Sequence, residues 1–299
     1  MLPLIILLAS CYTYGQLYPI IHWQIKNNLN IRANITSITQ DKQGFIWHAR
    51  GNKLYKIENE NLYEQNGILG IEQLKVDYAI SDKKGQLWIA ADSALYLVKS
   101  GKAAKILKMN YRNFSEKSQT IVENPDGSIV LTGDEGAYKI SKDTIIEYSD
   151  KNNLYKNSGT SGSNFINHKQ YITSYGGLFE LHNNKFLRHL IVPDTFDRKN
   201  DFRTITKFKN KIFVGTAQGL YEFTNGLFLP VTTTIKGNTI PTVNQAIVTS
   251  DEKLWLATQN GILIYDGITW TSITEKNGLR DLKCTQLFED NHQIGRAHV

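Results

Sequence analysis

Six bulky residues mark out this chain at a near-constant interval. Trp47, Trp88, Val130, Tyr171, Phe213 and Trp255 follow one another at spacings of 41 or 42 residues. In every copy a second large residue stands eight positions later: Tyr55, Tyr96, Tyr138, Phe179, Tyr221 and Leu263. Self-similarity at a fixed period of this size means a unit that cannot bury its apolar face alone and must stack on its neighbours.

Each copy reads as strands. Residues 35–39 form a short β-branched run, followed by Asp41-Lys42-Gln43-Gly44, an Asp-x-x-Gly turn in which Asp bonds local backbone and Gly takes positive φ. A β-branched and aromatic run comes next, as in residues 45–49 or 212–216. A second glycine turn, at Gly136, Gly177, Gly219 or Gly261, leads to the strand carrying the second large residue. A weaker fourth strand ends the unit, as in residues 61–64 or 269–273. No segment sustains a 3.6-residue period, so helices are expected only as short turns. Four strands in some 42 residues make one blade of an all-β propeller. The aromatic positions are expected as wedges between blades. Asp41, Asp82 and Asp126 are expected in separate hairpins and not as a metal-binding cluster.

Strand counting sets the closure. Residues 18–25, with Trp23, resemble a fourth strand, and residues 282–290 read as the first strand of another blade. The expectation is six complete blades plus the start of a seventh, with the N-terminal strand closing the ring.

The repeat resembles the two-component regulator propeller family, whose motif is roughly Ile-x-x-Asp-x-x-Gly-x-Leu-Trp-Ile-Gly-Thr-x-x-Gly-Leu-x-x-Tyr. The motif stands at residues 38–47, 80–90 and 254–262. Trp is replaced by Val130, Tyr171 and Phe213, and the fourth and fifth copies have Asn167-His168-Lys169 and Lys209-Asn210-Lys211 where Asp-x-x-Gly is expected. The resemblance implies a periplasmic sensor propeller that binds an extracytoplasmic ligand, an oligosaccharide fragment for example. It also implies a homodimer of the full-length form, and a membrane span with a histidine kinase or DNA-binding output beyond residue 293. The alternative is a stand-alone exported or lipid-anchored propeller that serves as a protein-interaction platform.

Chemistry is sparse. Seven histidines (His22, His48, His168, His182, His189, His292 and His298) show no HxH or HExxH spacing. His48 reads as an exposed or half-buried strand residue, and His182 and His189 stand seven apart across a turn. There is no Gly-x-Ser-x-Gly elbow, and the Gly/Ser-rich residues 159–163 lack the Lys of a phosphate cradle. No catalytic residue, metal or cofactor is expected, and no ligand-binding residue is singled out. Tyr111, Arg112, Tyr155, Arg198 and Arg203, on the longer loops, suit sugars or anions by type alone. A net charge of +6 is spread without a run of five basic residues and reads as solvated surface, with no nucleic-acid partner.

The ends read differently from the repeat. Residues 1–16 carry no charged side chain and have an apolar stretch at 2–8, a signal peptide without the usual basic start. Thr13 and Gly15 place small residues for cleavage before Gln16, whereas Leu8-Ala9-Ser10-Cys11 also resembles a lipobox in which Cys11 would be acylated. Cys11 and Cys284 give no disulfide framework. The propeller is assigned to residues 17–293. Residues 294–299, Ile-Gly-Arg-Ala-His-Val, resemble the translation of a sequencing adapter. Sequencing the gene across codon 293 is expected to reveal a different continuation with further repeats. Native codons for Ile-Gly-Arg-Ala-His-Val would overturn that expectation.

Overall fold

The computed structural model describes residues 35–58, 61–92, 94–108, 120–133, 136–154, 160–193, 197–233, 235, 239–279, 281–290 and 296–298. Blade 1 comprises β1 (Ile35–Gln40), β2 (Ile46–Arg50), β3 (Lys53–Glu58) and β4 (Asn61–Glu64). A four-residue helix, α1 (Asn66–Leu69), follows. Blade 2 comprises β5 (Val76–Ser81), β6 (Leu87–Ala91), β7 (Ala94–Lys99) and β8 (Lys102–Lys108). Blade 3 holds β9 (Thr120–Glu123), β10 (Ile129–Gly133), β11 (Gly136–Ile140) and β12 (Ile145–Tyr148). Blade 4 holds β13 (Thr160–Ile166), β14 (Lys169–Ser174), β15 (Gly177–His182) and β16 (Lys185–His189). Blade 5 holds β17 (Phe202–Phe208), β18 (Lys211–Thr216), β19 (Gly219–Thr224) and β20 (Leu227–Pro230). Blade 6 holds β21 (Val243–Val248), β22 (Leu254–Thr258), β23 (Gly261–Tyr265) and β24 (Trp270–Ile273). Each is an antiparallel meander in chain order, so the expected all-β propeller of six complete blades is observed.

A seventh sector begins with β25 (Gln286–Phe288), which pairs with β26 (Arg296–His298). Strand β25 contacts β21 on one side and β1 on the other, so the first strands of all blades form one ring. The pairing with β26 says nothing about the origin of residues 296–298, because ladder bonds join main chains of any sequence. The closing strand expected at residues 18–25, the signal peptide and Cys11 lie outside the described residues.

The core lies between blades. Trp88 and Ala90 face blade 3 and pack with Ile121, Ile129, Leu131 and Tyr138. Leu87, Ile89 and Ala91, on the other face of the same strand, pack with Ala49 and Leu54 of blade 1. Phe213 reaches Val243, Leu254 and Leu263 of blade 6, and Trp255 reaches Cys284 and Leu287 beyond it. Thus Trp47, Trp88, Tyr171, Phe213 and Trp255 pack forward, and Tyr96, Tyr138, Phe179 and Leu263 pack backward, as expected for wedges. All are buried except Trp47, which is half-buried. Each fully buried wedge contributes roughly 1.5–3 kcal/mol relative to exposure.

Hydrogen bonds reinforce the stacking at the inner strands. Ser37 Oγ accepts from Ala79 N–H and Thr39 Oγ1 from Ser81 N–H, both at 2.9 Å, and Thr204 Oγ1 accepts from Ala246 N–H at 3.1 Å. In each case the partners are 42 residues apart, one unit along the chain. Polar side chains in the core thereby find partners on the neighbouring blade, which removes the cost of burying them alone.

The Asp-x-x-Gly turn is tied to the wedge. Asp41 Oδ1 accepts from the N–H groups of Gln43 and Phe45, while its Oδ2 accepts from Trp47 Nε1 at 2.7 Å. Asp82 repeats this with Lys84, Gln86 and Trp88 Nε1, the last at 2.9 Å. In the third copy the position belongs to Asn124 and not to Asp126. Asn124 makes the closing main-chain bonds of the turn, and its side chain reaches Gln170 Oε1 of blade 4 at 2.8 Å. Asp126 instead accepts from Ser128 N–H and Lys139 Nζ. Val130 needs no acceptor. In blades 4 and 5 only two residues join the first and second strands. Asn167 and His168 both have positive φ, the signature of a type I′ turn. There the wedges are Tyr171 and Phe213, which carry no indole.

Asp82→Ala is expected to cost about 1–3 kcal/mol, the penalty for stranding a buried donor together with the lost turn bonds. The double variant with Trp88→Phe is expected to cost less than the sum of the two singles. Urea midpoints with unchanged m-values measure both.

Candidate functional site

A concavity lies on the seam between blades 4 and 5, at the end carrying the two shortened hairpins. Its volume is about 520 Å³, within the roughly 300–1,000 Å³ usual for small-molecule sites. The other four blades bridge first and second strands with five residues, so the rim here is cut back.

Strand register assembles its blade 4 wall. Tyr171 lies opposite Glu180, which lies opposite Leu187, and His189 lies opposite Leu178. Because side chains alternate along a strand, Lys169, Tyr171, Glu180, His182, Leu187 and His189 share one face. Tyr171 and Phe223 of blade 5 meet edge to face beneath them, with centroids 6.2 Å apart. Blade 5 contributes Lys211, Glu222 and Asn225.

Glu180 is the centre of this wall. Its side chain is only 6% exposed, and it accepts from Lys169 Nζ at 2.6 Å, His182 Nε2 at 2.6 Å and His189 Nε2 at 3.1 Å. Burial pushes the carboxyl pKa up, but the bonds from Lys169 and His182 outweigh it, and the group is held below its ordinary value. Burial pulls the His189 imidazole down, only partly offset by Glu180. A carboxylate accepts only, so both imidazoles present Nε2–H to it. Burial, with a further push from Glu180, raises the Tyr171 phenol to about 12, so it remains protonated. Across the seam Lys211 Nζ binds Glu222 at 2.8 Å.

No three His, Cys, Asp or Glu side chains among the described residues are placed to hold a metal ion. The arrangement can hold and orient a polar molecule. Of the loop residues with suitable chemistry, Tyr111, Arg112 and Tyr155 lie outside the described residues. Arg198 is exposed on a 3₁₀ turn, and Arg203 sits on β17 with Asp201 at 3.0 Å and Asn244 at 2.7 Å. None of these described residues reaches the cleft. His48 is fully buried and stacks on Tyr55 at 5.4 Å, a correction to its expected exposure, because β2 is covered on both faces. His182 and His189 are brought together by Glu180, which their spacing alone does not reveal.

The geometry is that of a β-propeller with a seam cleft, and comparison with solved structures gives the same fold. The extracellular domain assigned to a hybrid two-component system of B. thetaiotaomicron matches with a TM-score of 0.67 at 20% identity, over 86% of this chain and 37% of that one. Virginiamycin B lyase from Staphylococcus aureus matches with a TM-score of 0.61 at 15% identity, over 85% of this chain and 88% of that one. PorZ, a surface component of the type-IX secretion system of Porphyromonas gingivalis, matches with a TM-score of 0.59 at 12% identity, over 90% and 45%. This chain therefore spans little more than a third of the length of the two-component neighbour. No family model and no curated protein matches the chain. Among the described residues, no helix is long and apolar enough to cross a membrane.

The site predicts acid sensitivity. His189 lies below its ordinary 6.5 in the folded protein, so the unfolded chain takes up the proton first and stability falls as pH drops below 6.5. Glu180 lies below its ordinary 4.5, so its contribution is present above 4.5 and is lost as pH falls through its folded value. Calorimetric Tm is expected to decline in these two stages, and His189→Asn is expected to remove the first.

Proposed function

We propose that this chain is the extracytoplasmic sensing propeller of a two-component signalling protein, with the blade 4–5 cleft as its ligand site. The observation that carries the reading is the fold likeness to an extracellular domain of a hybrid two-component system over most of this chain. The cleft supports it. It is open, polar and of small-molecule size, and its polar groups are tied into ion pairs that can orient a solute. The ligand is an exported-compartment solute of the carbohydrate class. Occupancy of the cleft joins two blades and shifts an equilibrium that a membrane-attached dimer passes to a kinase or DNA-binding output. Residues 1–16 serve as the export signal. The described region acts by binding and not by catalysis.

A transcriptional reporter in the source cell tests this. An external saccharide is expected to induce a response that is lost when codons 35–290 are deleted in frame and restored by the complete gene. Responses that persist for every inducing saccharide after the deletion would overturn the sensor reading.

A further inference from the structure

The two ion pairs flanking the cleft are both oriented with the cation outward. In blade 4 the Glu180 side chain is 6% exposed, while Lys169 and His182 in front of it are 45% and 49% exposed. In blade 5 Glu222 is 23% exposed and its partner Lys211 is 60% exposed. The formal charges cancel, but a solute entering the mouth meets ammonium and imidazole groups first and the carboxylates behind them. Coulomb energy falls with distance and with solvent screening, so the nearer cations set the sign of the field in the cleft. Their neighbours add donors without adding charge. Asn167, Asn210 and Asn225, at the turns of three hairpins, also line the cleft. The carboxylates on the wall are already engaged: Glu180 by three donors, and Glu222 by Lys211.

We infer that the cleft between blades 4 and 5 selects a hydroxylated small molecule carrying an oxyanion, a carboxylate or a phosphate, which binds between Lys169–His182 on one wall and Lys211 on the other. The anion completes the outward-facing donors, and the asparagine amides take the hydroxyl groups. Glu180 and Glu222 stay in place as counter-ions that hold the cations extended. This inference rests on the cleft being the ligand site and names the chemistry of its ligand.

Titration calorimetry on the full chain tests it with three probes of similar size: D-glucuronate, glucose 6-phosphate and D-glucose. At least one anionic probe is expected to bind at least tenfold more tightly than glucose, and the two anions distinguish a carboxylate from a phosphate ligand. Lys211→Met and Lys169→Met are each expected to weaken the anion about tenfold or more, the loss of one charge-assisted bond. Lys253→Met, which removes an ion pair of the same kind in blade 6, with Lys253 Nζ 2.7 Å from Asp251, is expected to leave binding unchanged. Far-ultraviolet circular dichroism confirms folding of each variant. Glucose binding as tightly as the anions, no binding of either anion, or anion binding indifferent to Lys211→Met would each overturn the inference. The sensor reading fails separately. A reporter that responds to neutral saccharides alone leaves that reading standing while the oxyanion is excluded. Anion binding at the cleft with no reporter response refutes the sensor and leaves the ligand chemistry intact.

Discussion

Every blade in this propeller depends on the one beside it. A four-stranded antiparallel sheet has two faces, and here both are apolar: β6 is buried at all five of its positions. Neither face is satisfied within its own blade, so stacking between blades is the interaction from which the rest of the architecture follows. It explains the period of the wedges and the forward and backward packing of paired aromatics. It also explains why Ser37, Thr39 and Thr204 on the inner strands bond one unit ahead.

The fold was legible because this requirement leaves a mark in every copy. A wedge must be bulky and must recur, and a turn must be punctuated by Gly, Asn or Asp. What stayed hidden was the tie between the two. Asp41 and Asp82 look like ordinary turn residues, yet each also accepts from the indole six positions on. The third turn, Asn124-Pro125-Asp126-Gly127, holds two residues able to close it. Sequence favoured Asp126 by its type, while the main-chain bonds select Asn124. His48 was misjudged because β2 has both faces covered, which buries this position whatever its side chain.

The cleft was less legible, for a physical reason. In the sequence His182 and His189 stand seven apart across a turn, and nothing marks Glu180 as their partner. Its meaning depends on the register of three strands, which brings Lys169 and His189 onto the same face, and on the neighbouring blade that buries Glu180. The sequence did carry a pointer. The fourth and fifth copies are the two whose connection between the first and second strands is cut to two residues, and the cleft opens between them.

The shortened hairpin and the missing tryptophan form a two-part cassette. Where Asp opens the five-residue connection, in blades 1 and 2, the indole has its acceptor, and where the connection shrinks to two residues the wedge becomes Tyr171 or Phe213. Opening a like cleft at blade 1 or blade 2 would therefore require exchanging turn and wedge together. Shortening the hairpin of blade 2 alone would open a rim but leave Trp88 with a buried, unanswered N–H. In blades 1 and 2 the exchangeable unit is the linked pair of turn and wedge, and not the single side chain.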